Sequence, residues 1–462
     1  MYISKSIVHQ ILAIIPVTIG NFLVGAVFGW LAPTLKTYRG SQDEFPLTDE
    51  DCSRMVMFSY VGRIFCCLFA TAIGDRFGRV TLISLTALLM TISWTATALT
   101  KIIPLHYVLR FICGGCFGMT NVTTPIYIGE NSPPQVRAIF NSVCLMFLFG
   151  GQVVSCVLAT YCSYLVATGI IAAISVVGLA STILLREPAQ YLLVNGHEAE
   201  AERQFFWLRG EDENTKREFG EMKAKLLNTK TTFSFAYLMD RRVWIVFAMN
   251  TLIFTTGFPA ISSLVSIALT PAGNFSENEL TILFELTQFV GAVASLFIID
   301  RFDRRPLWTL TCVLSIGFHL MTAALYHLRD EGVHVAGYSW LLFGSITAYT
   351  TVFSTLMFSL NCTARGELLP QQYKGAGSST SLALNSVVGS IQGFTFLKIA
   401  SAFGMKVNFI IFAAFSFVLW VFCYFLVPET RGLTLVEIEE LFENSNESDF
   451  KQTKADFQGK TC

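Results

Sequence analysis

Two charged motifs of nearly the same composition interrupt an otherwise apolar chain. They are DRFGR at residues 75–79 and DRFDRR at residues 300–305. Each is followed by a carboxylate and then a base, first Glu130 and Arg137, later Glu367 and Lys374. Guanidinium groups bind carboxylates through paired hydrogen bonds, so these residue types can form strong ion pairs. The chemistry that they indicate is electrostatic.

A third element repeats in the same order, as REP at residues 186–188 and PETR at residues 428–431. Ordered pairs of this kind predict two structural repeats of parallel topology, the architecture of carriers whose halves rock about a central site. We predict that the charged residues form a conformational latch; topogenic charge at helix ends is the alternative. The predicted latch residues are Asp75, Arg76, Arg79, Glu130, Arg137, Glu187, Asp300, Arg304, Arg305, Glu367, Lys374 and Glu429.

The composition indicates whether the chain is surrounded by water or by lipid. Of the 462 residues, 53% are hydrophobic and only 14% are charged, against roughly 25% charged in a soluble domain. The formal net charge of -1 provides no concentrated basic surface, which excludes general nucleic-acid binding. We therefore predict a polytopic membrane protein that is surrounded by the lipid bilayer.

A membrane-spanning helix needs about 20 residues with few charges. Charge-free runs cover 10–35, 80–100, 138–185, 243–276, 306–328, 332–364, 375–397 and 407–428. Spans with one ionisable group each fit 55–74, 105–128 and 279–299. Since the run 138–185 is long enough for two helices, the sequence predicts an all-α membrane protein with about twelve transmembrane helices.

The organisation follows from charge and repeat order. We predict a six-helix bundle over 1–185, a linker with short amphipathic cytoplasmic helices over 186–242, a second six-helix bundle over 243–428 and a cytoplasmic tail over 429–462. An excess of Lys and Arg in the linker and at the rim motifs places both termini in the cytoplasm.

With these motifs, the chain resembles the sugar porter family of the major facilitator superfamily over nearly its whole length. The resemblance rests on GDRFGR at 74–79, PIYIGE at 125–130, REPAQYLL at 186–193, DRFDRR at 300–305, GELLP at 366–370 and PETRG at 428–432. Within the family, the chain is most similar to the insect facilitated trehalose and glucose transporters. The resemblance implies the major facilitator fold and a plasma-membrane location.

By this resemblance, amides from several spans bind the hydroxyl groups of a neutral sugar. Gln152, Gln288 and Asn385 match family positions, whereas Ile253-Phe254 replaces a glutamine pair and Cys362 replaces a tryptophan. Gln392 shares a helix face with Asn385, and an amide of the seventh span could replace the missing glutamines. The predicted substrate residues are Gln152, Gln288, Asn385, Gln392 and Asn250; helix–helix hydrogen bonds are the alternative role.

Gly257 and Pro259 should interrupt the seventh span, because proline removes a backbone donor and kinks a helix. We predict that this break acts as a gate. A static packing kink is the alternative interpretation.

Acidic residues decide between proton symport and passive transport. None lies between residues 10 and 35, where proton symporters of the family carry an aspartate. Glu285 lies within a predicted span, near its outer end, where we expect water to reach it. The sequence therefore predicts facilitative uniport of a neutral sugar such as a hexose or trehalose.

Other functions stay open at this point. A carrier of a different small organic solute is one alternative, and an anion bound at Arg63 would be an instance of it. A non-transporting sugar sensor on the same scaffold is another. No nucleotide loop, nucleophile elbow or metal-ligand cluster occurs in the sequence, so we expect no enzymatic activity, cofactor or metal. No obligate protein partner is evident.

Overall fold

The structure is a computed structural model. It describes residues 5–38, 47–132, 134–210, 213–228, 240–298, 301–333, 337–369, 374–427 and 429. The described residues are almost entirely helical, as expected of a chain that must satisfy its backbone hydrogen bonds within lipid.

The first half of the chain forms six long helices. They are α1 Lys5–Tyr38, α2 Asp49–Phe77, α3 Arg79–Leu99, α4 Ile103–Asn131, α5 Pro134–Tyr161 and α6 Tyr164–Ser181. Helix α6 continues into a short 3₁₀ turn at Thr182–Leu184. The bounds follow the apolar runs of the sequence, since each span ends where charged or turn-forming residues begin.

Three short helices lie between the two halves. They are α7 Ala189–Val194, α8 Glu198–Arg209 and α9 Glu213–Asn228. The ring of His9 in α1 stacks on Trp207 of α8 with centroids 4.2 Å apart. The side chain of Gln10 donates to the carbonyl of Leu208 at 3.2 Å. The linker helices are therefore docked against the first span.

The second half repeats the pattern with two interruptions. Its helices are α10 Arg241–Thr255, α11 Phe258–Ala268, α12 Glu277–Ile298, α13 Arg304–Asp330, α14 Tyr338–Val352, α15 Phe358–Leu368, α16 Lys374–Phe403 and α17 Met405–Leu426. Helices α10 and α11 form one span that is broken at Gly257, where φ is +104°, as the Gly–Pro pattern predicted. Helices α14 and α15 are joined by a π-helical segment, Phe353–Met357.

Within the described residues, eleven helical segments are long and apolar enough to cross a membrane. Helix α4 is also long, with 29 residues, but carries the buried side chains of His106 and Arg110. Counting α4 with the eleven agrees with the span count predicted from the sequence.

Glycines set the distance between helices in the first half. At Gly25 of α1, an added Cβ would overlap the backbone carbonyl of Leu148 in α5, and at Gly151 of α5 it would overlap that of Phe22 in α1. Backbone contact of this kind is typical of membrane helices, where small residues permit close packing. These contacts therefore fix how α1 and α5 are rotated about their axes and how far one helix is shifted along the other.

Candidate functional site

The motif at residues 75–79 is part of a compact ion-pair cluster. The guanidinium of Arg79 binds Glu130 of α4 through two hydrogen bonds, both 3.1 Å long. Its Nη1 atom lies 2.8 Å from the Asp75 carboxylate. Glu187 accepts hydrogen bonds from the backbone N–H groups of Arg79 at 2.9 Å and Val80 at 3.1 Å. The Glu187 carboxylate thus caps the N-terminus of α3, where the helix dipole favours a negative charge.

The motif at residues 300–305 has the same arrangement in the second half. Glu429 accepts hydrogen bonds from the backbone N–H groups of Arg304 at 3.0 Å and Arg305 at 2.9 Å, and so caps α13. The guanidinium of Arg304 lies 3.7 Å from the Glu367 carboxylate. Arg79, Glu130 and Glu187 therefore correspond in position to Arg304, Glu367 and Glu429. We call the side of the protein that carries both clusters the charged face.

These ion pairs connect helices within one half and do not bridge the two halves. Their role as a latch between open and closed states stays a prediction. Arg76 is outside the pairs, with its guanidinium 5.4 Å from the ring centroid of Phe77. Asp300 and the side chains of Arg137 and Lys374 lie outside the described part of the chain.

Burial affects the protonation of the Glu187 carboxyl that caps α3. It raises the pKa of the Glu187 carboxyl above its ordinary value, and the backbone donors of Arg79 and Val80 oppose that rise. Either protonation state retains an oxygen that can accept a hydrogen bond from α3.

We expect Glu187→Ala to destabilise the protein, because two backbone N–H groups of α3 lose their acceptor. The loss of such a cap lowers the free energy of unfolding by about 1–2 kcal/mol. Thermal unfolding of the purified protein in detergent measures it. Glu221, an exposed carboxylate of α9 that pairs with Arg217 at 2.9 Å, is the control. A Glu221→Ala variant as unstable as Glu187→Ala would contradict the capping role.

Three buried asparagines form the centre of the second half. Asn361 of α15 donates to the side-chain oxygen of Asn250 in α10 at 3.0 Å, and the side-chain amide of Asn385 in α16 lies 2.9 Å from the same oxygen. All three are at most 1% exposed. The side-chain nitrogen of Asn250 has no hydrogen-bond partner in the described structure. We call these residues the amide cluster.

The amide cluster includes two predicted substrate residues, Asn250 and Asn385, and one that sequence reasoning missed. Asn361 is not among the residues that the sequence predicts to bind substrate. Its signal in the sequence was an amide within an apolar span, close to the Gly-Glu motif. Membrane helices rarely bury such a group without a partner.

Two more predicted substrate residues lie where α5 of the first half packs against α12 of the second. Gln152 and Gln288 are both buried, and the side-chain oxygen of each has no hydrogen-bond partner among the described residues. Gln288 donates to the carboxylate of Glu285 at 3.1 Å. These carbonyl oxygens can accept hydrogen bonds from hydroxyl groups.

The expectation that water reaches Glu285 is wrong. Its side chain is 1% exposed, because this face of α12 packs against α5 rather than an open rim. The sequence placed Glu285 near the end of a span but could not indicate which way it faces.

The last predicted substrate residue, Gln392, contacts the break in the seventh span. Its side-chain nitrogen donates to the backbone carbonyls of Phe254 and Thr255 at 3.1 and 3.2 Å. The backbone N–H of Gly257 also donates to the Phe254 carbonyl at 3.4 Å, so the Gln392 amide is an additional donor where α10 ends. After the break, the ring of Phe258 stacks on Phe353 of the π-helical segment at 3.9 Å.

The two halves touch at both ends of the interface between them. At the charged face, the hydroxyls of Thr71 in α2 and Ser379 in α16 are 2.5 Å apart. Towards the opposite face, the hydroxyl of Ser266 in α11 donates to the carbonyl of Ala32 in α1 at 2.5 Å. Along these helices, the amide cluster therefore lies between the two contacts.

A comparison with protein families agrees with this geometry. A model described as "Sugar (and other) transporter" matches residues 13–442. The chain belongs to the sugar (and other) transporter family. This transporter is 26% identical over 441 residues to the facilitated trehalose transporter Tret1 of Bombyx mori, covering 93% of this chain and 86% of the relative. It is 25% identical to Tret1 of Apis mellifera ligustica, covering 94% and 88%.

Solved structures show the same fold. The proton:xylose symporter XylE bound to 6-bromo-6-deoxy-D-glucose superposes with a TM-score of 0.75 at 18% identity, covering 94% of this chain and 99% of the other. Inward-open XylE from E. coli superposes with a TM-score of 0.76 at 17% identity, covering 93% and 98%. The predicted family and the all-α major facilitator fold are confirmed.

Proposed function

We propose that this transporter is a facilitative carrier that moves a neutral sugar, such as a hexose or trehalose, by alternating access. The observation that carries the proposal is the amide cluster, with uncharged hydrogen-bonding groups held between the two contacts of the halves. A sugar has no charge, so amides can bind its hydroxyl groups without the desolvation of a buried ion. Tret1 relatives from insects are described as facilitated transporters, which supports the same mechanism.

The topology that we propose places the charged face in the cytoplasm of a cell whose plasma membrane holds the protein. The excess of Lys and Arg in the linker supports this orientation. Residues 1–185 and 243–428 are then the two bundles that rock against each other. In this scheme, Gly257 and Pro259 form the hinge of a gate, and the two ion-pair clusters of the charged face form the conformational latch.

Passive transport is the part of the proposal that a pH gradient tests. The first span carries no acid between residues 10 and 35, and Glu285 contacts Gln288 rather than a base. We expect labelled glucose or trehalose to equilibrate across reconstituted vesicles at the same final level with and without an imposed proton gradient. Accumulation above the external concentration would refute uniport.

Two variants test, in the same experiment, whether Glu285 carries a proton. Glu285→Gln removes the buried carboxylate of α12, and Glu279→Gln removes a half-buried one from the first turn of the same helix. We expect the final uptake level to be independent of the proton gradient in both variants, as in the wild type. Gradient-driven accumulation that disappears only in Glu285→Gln would identify this residue as a proton carrier and replace uniport by symport.

A further inference from the structure

A buried carboxyl group of α12 binds one of the predicted substrate residues. Glu285 is 1% exposed and accepts a hydrogen bond at 3.1 Å from the side-chain nitrogen of Gln288, which is buried as well. Within the described part of the chain, no base forms an ion pair with Glu285. Acidic residues inside membrane spans are rare and usually have a functional role. The hydrogen bond to Gln288 is the contact from which that role can be inferred.

The Glu285 carboxyl group determines the orientation of the Gln288 amide. The two residues are three positions apart on α12, so their side chains are neighbours on one face of the helix. An amide nitrogen can only donate hydrogen bonds, and a carboxyl group has an oxygen that accepts in either protonation state. If the Gln288 amide turned by 180°, its oxygen would face the accepting oxygen of Glu285 and this hydrogen bond would be lost.

The end of the Gln288 amide that remains available is a hydrogen-bond acceptor. Its side-chain oxygen is buried and has no hydrogen-bond partner among the described residues. Native proteins rarely bury a carbonyl oxygen without a partner, so such an atom requires an explanation. The adjacent Phe289 reaches α5 of the other half, with a ring carbon 3.8 Å from where a Cβ of Gly150 would lie. Gln288 therefore belongs to the part of α12 that meets the first half.

Gln392 of α16 has the same arrangement with different partners. Its side-chain nitrogen donates to the backbone carbonyls of Phe254 and Thr255, and its side-chain oxygen has no hydrogen-bond partner. In both glutamines the protein binds the donor end of the amide and leaves the acceptor end. A sugar hydroxyl can donate or accept, so these oxygens would bind it as a donor.

We propose that Glu285 is a positioning residue, which holds the Gln288 amide with its oxygen available and so makes the carrier select a sugar hydroxyl that donates a hydrogen bond. This role rests on the proposed carrier function and adds to it the direction of one substrate hydrogen bond. Glu285 itself does not contact the sugar. It acts through the 3.1 Å hydrogen bond to Gln288.

Glucose and its monofluorinated analogues, each with fluorine in place of one hydroxyl, are the probes. Fluorine is similar in size to a hydroxyl group but cannot donate a hydrogen bond. We expect the purified wild-type protein to bind at least one analogue about 10-fold more weakly than glucose, the effect of one lost hydrogen bond. Glu285→Leu should reduce this ratio to about 2-fold, because the released amide can turn and offer its N–H groups to fluorine. Glu285→Gln should retain the ratio, since its carbonyl still accepts from Gln288.

Thr281→Val is the matched control on the same helix. Thr281 is buried one turn before Glu285, and its hydroxyl donates to the backbone carbonyl of Glu277 at 2.8 Å, away from Gln288. We expect its replacement to leave the binding ratio unchanged, whatever it does to thermal stability. Thermal unfolding verifies that each variant is folded, and Glu285→Met replaces Glu285→Leu should the latter not fold.

A double variant tests whether Glu285 acts through Gln288. Gln288→Leu should lose the discrimination against the same analogue, and adding Glu285→Leu to it should change the binding ratio no further. Such non-additivity is expected of two residues that act as one unit. A contact that only stabilises the fold would alter the unfolding temperature and not this ratio.

The outcomes separate the positioning role from the carrier function. Glucose transport with equal binding of all the analogues, or a ratio that survives in Glu285→Leu, would overturn the positioning role alone. A ratio lost equally in Glu285→Gln and Glu285→Leu would also overturn it. A folded wild-type protein that neither binds nor transports any of these sugars would contradict both.

Discussion

Gly151→Ala should abolish production of folded protein. The new methyl group would overlap the backbone carbonyl of Phe22 in α1, and neither helix has a flexible side chain at that point that could move away. The helices would have to separate along their length and lose the packing that holds them in lipid. We expect a loss of about 3 kcal/mol or more, which is a large fraction of a net stability of roughly 5–15 kcal/mol and sharply lowers the yield of folded protein.

Gly150→Ala is the matched control, since it makes the same change one residue earlier on the same helix. There the nearest atom to an added Cβ would be a ring carbon of Phe289, at 3.8 Å. That is an ordinary van der Waals distance. Gly150→Ala should therefore be neutral, or more stable by about 0.5 kcal/mol from its higher helix propensity. Gel-filtration yield and thermal unfolding compare the two variants, and equal behaviour would contradict the close contact of α1 with α5.

Asn250→Leu should reduce transport by about 100-fold, because this residue contacts both other members of the amide cluster. Its side-chain oxygen accepts a hydrogen bond from Asn361 and lies 2.9 Å from the amide of Asn385, so two buried amides would lose a polar contact. The variant also loses the free nitrogen of Asn250, which faces no protein acceptor in the described structure. The initial uptake rate of labelled glucose or trehalose, divided by the amount of folded protein in the vesicles, measures the effect.

Asn408→Leu is the matched control for Asn250→Leu, because it also removes a buried amide but leaves the amide cluster intact. Asn408 of α17 is 2% exposed and donates to the backbone carbonyl of Phe396 at 3.0 Å, outside the amide cluster. We expect its replacement to lower thermal stability but leave the uptake rate per folded molecule near that of the wild type. If Asn250→Leu transported at the Asn408→Leu rate, the amide cluster would be helix packing and not the substrate site.

The two ion-pair clusters of the charged face show how much a sequence motif can predict. The order of Arg79, Glu130 and Glu187 and its repetition in the second half are evident in the sequence. The sequence suggested ion pairs throughout, whereas the structure gives Glu187 a different role as the backbone cap of α3. From the sequence alone, a carboxylate next to a proline can pair either with a side chain or with the backbone N–H groups of a helix N-terminus.

By itself, the sequence determined the number of spans, the helical linker, the break at Gly257 and the repeated charged motifs. Each of these follows from a local requirement, because a segment in lipid must satisfy its own backbone hydrogen bonds. Only the tertiary structure decided that Glu285 is buried and that Asn361 joins Asn250. A span that is apolar on every side carries no pattern to indicate how it is rotated. That rotation is set by close backbone contacts such as the one at Gly151, between residues far apart in the chain.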